Sequence, residues 1–304
     1  MISTPALPKR HHPAPAMTGR PASEHVVLDP GGRYRALVGA IKSARHSLDL
    51  SIFRCDDPFI IEVLEEAHAR GVRVRVLLTN RAKGGSRQLA WLETVLRRAG
   101  IDVMRYGGVC QKYHAKYALI DGTRCLVSSM NLTREHFTDT DDVLLLSRDR
   151  ALYGALASMF DSDWRGDAAS LISCDRLIVS PDNARARFAA LIASARRSLV
   201  IVDHKLADLD MLDLVLAAQS RGVVVHLITD ERRFDARSHG KFMVIDDRLA
   251  VVGSLALSAS TLDQRRDAAV IVSDPGLVRE LAAHIRPARA PRPTLRHDEP
   301  SLVS

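Results

Sequence analysis

The chain has 304 residues, a hydrophobic content of 46% and a formal charge of +7. That length suffices for two domains or one duplicated unit with a sizeable core, and the composition excludes a disordered or fibrous chain. Cys55, Cys110, Cys125 and Cys174 form no CxxC pair and no His/Cys cluster. They therefore argue for buried thiols in a reducing compartment, not for a disulfide frame or a zinc site.

Residues 1–25 hold several prolines and few large apolar residues, and residues 286–304 read the same way. Both are expected to be disordered basic tails, with a weak grip on an anionic surface as the alternative to no role at all. Together they carry about +4 of the charge, which leaves a mildly basic body of about +3. No apolar run approaches the ~18 residues needed to span a bilayer, and the N-terminus has no apolar signal core. The expectation is a soluble, cytoplasmic protein.

From Gly32 the pattern turns regular. Tyr34, Leu37, Val38 and Ile41 share a helical face, and 47–53 reads as a strand. Phe59 to Ala69 reads as a helix closed by Gly71, after which Val72, Val74 and Val76 alternate with arginines as a strand. The second half repeats the plan: a helix over 188–195, a strand over 198–202, a helix over 211–219 stopped at Gly222, and a strand over 223–228. Strand–helix–strand order in both halves predicts an α/β class.

In the stretch YHAKYALIDGTRCLVSSMNLT, His114 and Lys116 are two apart, so on an extended chain they share a face. Asp121, Gly122 and Thr123 read as a turn into a second strand, on which Ser129 and Asn131 again share a face. An imidazole, a cation, a hydroxyl and an amide in one patch make a phosphate site that contains a nucleophile or an acid. The stretch HGKFMVIDDRLAVVGS repeats it with His239, Lys241, Asp246 and Ser254. Each lies 125 positions after its counterpart, as 239 minus 114 and 254 minus 129 show. Arg70-Gly71 and Arg221-Gly222 are 151 apart, so the first half carries 26 extra residues, between about Arg81 and Tyr106. Leu89, Leu92, Val95 and Leu96 make most of that insertion a helix, either bordering the site or simply solvated.

Two copies of H-x-K-x4-D-x6-[GS]-S at one offset resemble the paired HKD motifs of the phospholipase D superfamily, over roughly residues 26 to 285. The resemblance implies two α/β sandwich halves, 26–170 and 171–285, each a mixed sheet flanked by helices. They would be related by a pseudo-twofold axis with the active site at their interface. It implies a catalytic set of His114, Lys116, Asp121, His239, Lys241 and Asp246, with His114 the nucleophile and His239 the general acid. Asp121 and Asp246 suit the turn better than the substrate. Asp142 and Asp267 are the candidates for orienting the histidines, with Asp141 a near rival. Ala256 stands where the family has asparagine, and Ser128 where it often has glycine.

The chemistry follows from the residue types. Imidazole titrates near neutrality, so one histidine can attack phosphorus while the other donates to the leaving oxygen. Attack gives a phosphohistidine that water or an alcohol resolves. Lys116, Lys241, Ser129, Ser254 and Asn131 are expected to hold the non-bridging oxygens. No metal or other cofactor is expected. His204-Lys205 lacks the motif spacing and reads as a strand end. The leading expectation is a phosphodiesterase or phosphatidyltransferase acting on a phospholipid, as a monomer with peripheral contact to anionic membrane. A metal-independent DNA endonuclease and a non-catalytic phosphate-binding module are the alternatives.

Overall fold

The computed structural model describes residues 24–82, 84–138, 140–167, 172–229, 232–233, 236–237 and 239–285. Aspartates start the helices: Asp29 caps α1 (Pro30–Lys42), Asp57 caps α2 (Pro58–Ala69), Asp149 caps α4 (Arg150–Arg165) and Asp208 caps α6 (Leu209–Ser220). Each carboxylate accepts from backbone N–H groups of the first turn that have no partner within the helix. Gly71 and Gly222, at φ of 87° and 88°, follow α2 and α6 as the sequence predicted. The remaining helices are α3 (Ser86–Arg98), α5 (Ala184–Ser194), α7 (Ala259–Gln264) and α8 (Pro275–Ile285).

The first sheet is built from β1 (His25–Val27), β2 (Ser47–Ile52), β3 (Arg73–Leu78), β4 (Asp102–Arg105), β6 (Tyr117–Ile120), β7 (Arg124–Ser128) and β8 (Leu144–Ser147). Its order is β1-β8-β7-β6-β2-β3-β4. The second is built from β5 (Lys112–Tyr113), β9 (Leu177–Ser180), β10 (Ser198–Val202), β11 (Val224–Ile228), β14 (Phe242–Ile245), β15 (Leu249–Gly253) and β16 (Arg265–Val272). Its order is β11-β10-β14-β15-β16-β5, with β9 also pairing β16. A small ribbon, β12 (Arg232–Arg233) with β13 (Ala236–Arg237), precedes the second motif. In each sheet one central strand pairs parallel on one side and antiparallel on the other, β2 in the first and β10 in the second. The halves therefore share a central plan, in keeping with the repeated motifs.

Three cores follow from strands buried on both faces. One lies outside the first sheet under α1, α2 and α3, with Leu37, Ile60, Leu64 and Leu92. One lies outside the second under α5 and α6, with Phe188, Ile192 and Val215. The third lies between the sheets and takes Tyr113, Tyr117 and Phe160 from the first half with Leu177, Phe242 and Val270 from the second.

Three sequence expectations need correcting. The motif segment is not one strand: β5 ends at Tyr113 and β6 starts at Tyr117. Moreover β5 pairs with β16, Lys112 opposite Arg265, so a strand of the first half closes the second sheet. The tails, and the boundary at 170/171, lie outside the described residues apart from Glu24 and His25. Those two belong to the folded body: His25 is in β1, and Glu24 is buried against Arg176 at 2.8 Å. The insertion supplies α3 and also β4, which covers β3. The counterpart of β3, β11, has no such cover among the described residues and leaves Val224 and Leu227 exposed.

Candidate active site

The turn at Asp121 has φ of 52° and that at Asp246 has φ of 55°, and both carboxylates point away from the imidazoles. Asp121 accepts from the N–H groups of Arg45, His46 and Ser47. Asp246 accepts from those of Arg196, Arg197 and Ser198. Each ties its hairpin to the strand beside it, β6 to β2 and β14 to β10. The third letter of the motif is structural, and neither aspartate belongs with the catalytic set.

His114 and His239 are braced across the halves. His114 Nδ1 donates to Asp267 Oδ2 at 2.7 Å, and His239 Nδ1 donates to Asp142 Oδ1 at 2.9 Å. Each histidine thus takes its carboxylate from the other copy. Both aspartates are fully buried. Burial alone pushes Asp142 up, yet His239, His136 and the Ser129 hydroxyl hold it far below the usual carboxylate range. Burial likewise opposes ionisation of Asp267, while His114, Lys116 and Ser254 hold it at about 2. With both carboxylates ionised, each imidazole keeps its proton on Nδ1 and leaves Nε2 the unprotonated nitrogen.

Ser129 and Ser254 sit behind the aspartates. Ser129 Oγ donates to Asp142 Oδ1 at 2.6 Å, and Ser254 Oγ donates to Asp267 Oδ1. Both are almost fully buried, so the expectation that they hold substrate oxygens is corrected: they hold the carboxylates that hold the histidines. Asp141 is no rival for that task. Its Oδ1 accepts from His239 N and Gly240 N, at 2.8 and 2.7 Å. A Cβ at Gly240 would stand 2.4 Å from the Asp141 carbonyl oxygen, which explains a glycine between His239 and Lys241.

Lys116 Nζ donates to the His114 carbonyl at 2.8 Å and lies 3.1 Å from its Nε2, so the ammonium flanks that nitrogen. Lys241 Nζ donates to the His239 carbonyl at 2.8 Å. Burial, with Lys116 adding to it, pushes His114 well below the ordinary imidazole value, and burial lowers His239 as well. Burial also pulls Lys116 well below the usual ammonium value. A phosphate anion between them would oppose all three shifts, because it favours every charged form it touches.

Four further residues reach the site without belonging to either motif. Phe53, just past β2, stands 4.6 Å from the His114 ring, between centroids. His204, at the same place after β10, stands 6.2 Å from the His239 ring. It is a strand end as expected, but a strand end beside the general-acid candidate. His136 meets the His239 ring edge-on at 4.4 Å. Lys112 lies 4.4 Å from the Phe53 ring, and burial together with Arg265, Lys205 and Arg54 pulls it down to about 8. The 151 offset from Phe53 to His204 was readable in sequence. His136 lies in a 3-10 turn, Arg134–Phe137, whose lack of apolar period gave no signal.

Among the described residues, His136, Asp142 and His239 could offer three metal ligands whose atoms lie within 4.8 Å of one another. Those atoms are already hydrogen-bonded, His239 to Asp142 and His136 to Asn131 and Thr133. Lys116 and Lys241 bear on His239 as well, which opposes a cation and favours an anion. Beside Asn131 a cleft of about 160 Å³ opens between Arg54, Leu89, Leu92 and His136. Its far wall is α3, so the insertion borders the site.

The model of the cardiolipin synthase, phospholipase D-like domain matches residues 37–164 and 232–287, more than half of the chain and both motifs. The chain belongs to the phospholipase D superfamily. The chain is similar to mitochondrial cardiolipin hydrolases over part of its length. That of Xenopus laevis is 32% identical over 133 residues, 43% of this chain and 60% of that protein. The human one is 31% identical over 130 residues, 42% and 49% respectively. The chain thus spans about half to 60% of the length of these relatives. Solved structures of two other proteins share this chain's fold. Polyphosphate kinase from Porphyromonas gingivalis superposes with a TM-score of 0.69 at 20% identity, over 91% of this chain and 51% of that one. Phosphatidylserine synthase from Haemophilus influenzae also gives 0.69, at 10% identity, over 87% and 86%. Among the described residues no helix is long and apolar enough to cross a membrane.

Proposed function

We propose that this phospholipase D-like protein cleaves or exchanges a phospholipid phosphodiester through a phosphohistidine on His114. The observation that carries the proposal is the crossed bracing of His114 by Asp267 and His239 by Asp142. It leaves two Nε2 atoms with opposite tasks around one phosphate. His114 Nε2 attacks phosphorus, and the P–O bond to the leaving alcohol breaks. His239, protonated in the complex, gives that oxygen its proton and then takes one from the incoming water or alcohol. Lys116 and Lys241 hold the non-bridging oxygens as charge gathers on them. The relatives named as cardiolipin hydrolases and the matched family support a lipid diester as substrate.

A nuclease reading draws on one observation, the cluster of Lys112, Lys205, Arg265 and Arg54 whose mutual repulsion is felt at Lys112. Purified protein offered labelled phosphatidylcholine, phosphatidylglycerol and plasmid DNA, each with excess EDTA, separates the readings. Lipid turnover that survives the chelator is the expected result. Turnover of DNA alone favours the nuclease. Loss on chelation with rescue by a divalent ion removes the two-histidine mechanism.

A further inference from the structure

The two copies of the motif end differently, and the difference is concerted. In the first copy Asn131, Thr133 and His136 form a linked set. Thr133 Oγ1 lies 2.6 Å from His136 Nδ1, and Asn131 Nδ2 lies 3.2 Å from His136 Nε2. An amide nitrogen can only donate, so Nε2 is the acceptor and Nδ1 carries the proton that Thr133 Oγ1 accepts. The second copy, 125 positions on, has Ala256, Ser258 and Thr261. The scaffold bond persists there, Ser258 Oγ donating to Thr261 Oγ1 at 3.0 Å. The amide and the imidazole are lost together. The histidine occurs where there is an amide to hold.

We infer that His136 is a positioning residue of the phosphodiester site, fixing the Asn131 amide plane and the rim of His239 through one neutral imidazole. The inference rests on the proposed diester chemistry and extends it to a residue outside both motifs. Asn131 is 7% exposed, and its Oδ1 has no hydrogen-bond partner among the described residues. With Nδ2 tethered, Oδ1 and the second N–H keep one fixed orientation and are committed to no other protein group. The same imidazole meets the His239 ring at 90° and limits its swing away from Asp142. Burial holds His136 down at about 4, so it stays an acceptor through the neutral range. Protonation would turn Nε2 into a donor and break the tether to Asn131.

Substitutions that imitate one ring nitrogen at a time test this. The amide oxygen of His136→Gln stands near Nε2 and can still accept from Asn131. That of His136→Asn stands near Nδ1 and reaches only Thr133. Steady-state kinetics on a phospholipid diester should show His136→Asn losing about tenfold in kcat with KM little changed, the scale of one hydrogen bond, and His136→Gln staying within about threefold of wild type. In an Asn131→Ala background, His136→Asn should cost less than about twofold, since coupled residues do not add. Circular dichroism and a urea midpoint confirm that each variant is folded. Equal losses for the two variants, or full additivity with Asn131→Ala, would assign His136 to packing and overturn the inference while leaving the diesterase reading intact. Absence of diester turnover by the wild type would overturn the reading and the inference with it.

Discussion

The two halves agree in the histidines, the lysines and the aspartate–serine pairs that brace the histidines, and they differ in much of what surrounds that set. His114 and His239, Lys116 and Lys241, Asp142 and Asp267, and Ser129 and Ser254 occupy matched places. Around them Phe53 corresponds to His204, Asn131 to Ala256, His136 to Thr261, and Arg33 of α1 to Ala184 of α5. The first half also has α3 and β4, for which the second has no equivalent among the described residues. Under the proposed chemistry a phosphate presents similar oxygens to both sides, which suits a duplicated set of histidines and lysines. The two ester groups of a diester differ, which suits unlike surroundings.

The largest test of that comparison removes one histidine at a time. His114→Ala and His239→Ala should each lose at least the ~10²–10⁴-fold typical of general acid–base catalysis, measured as kcat on a diester. A folded single variant with near-wild-type activity would break the shared-site model.

The crossing of the carboxylates makes a finer distinction. Asp142→Asn should impair protonation of the leaving group, and Asp267→Asn should impair attack. Each should lose up to about 10⁴-fold, the scale seen when an orienting carboxylate is neutralised. A nitrophenyl diester, whose leaving group needs no acid, should rescue Asp142→Asn and not Asp267→Asn. Rescue in the opposite order would exchange the roles of the two histidines.

Asymmetry at the amide comes next in size. Asn131→Ala should raise the barrier on the order of 3 kcal/mol if the amide meets the developing charge, as in oxyanion holes. Ala256→Asn should raise kcat if the second copy has room for the family residue. A rise in KM for a large substrate alone would instead mean that Ala256 makes space for it.

Stability should differ between the halves too. Arg33 is fully buried and donates to the carbonyl oxygens of Leu28, His136, Thr140 and Asp142. Arg33→Met leaves those carbonyls short of a donor and should cost about 3 kcal/mol in urea unfolding.

The smallest effect is in pH dependence. His136 binds its proton at about 4 in the fold and near 6.5 when unfolded, so between those values the unfolded chain binds more protons. Stability therefore falls as pH drops from 6.5 towards 4, by at most about 1.4 kcal/mol per pH unit for this group. His136→Thr, which installs the second-copy residue, should flatten that slope between pH 7 and 5. An unchanged slope would place the proton uptake on other histidines.

Much of this was legible in the residues. The repeated motif, the strand and helix plan, and the α3 insertion all follow from spacing and period. Asp142 and Asp267 came from the family resemblance and not from period, and they lie against His239 and His114. What spacing could not show is which half each side chain serves. Parity put Ser129 on the face of Asn131, but the neighbour behind that face, Asp142, serves a histidine of the other copy. The two residues Lys112–Tyr113 carry no sign that they leave their own sheet. Arg33 and His136 act by burial and a single turn, which no periodicity reveals.

The exchange of carboxylates has a consequence for how activity is acquired. A half that folds alone holds an imidazole without its brace and an aspartate without its imidazole. Neither His114 nor His239 has its carboxylate until the interface closes, and slippage there would unbrace both at once. Under the proposed chemistry, activity is interlocked with assembly. A clipped chain should then be silent towards phosphodiesters, and co-expressed fragments should regain activity only by docking.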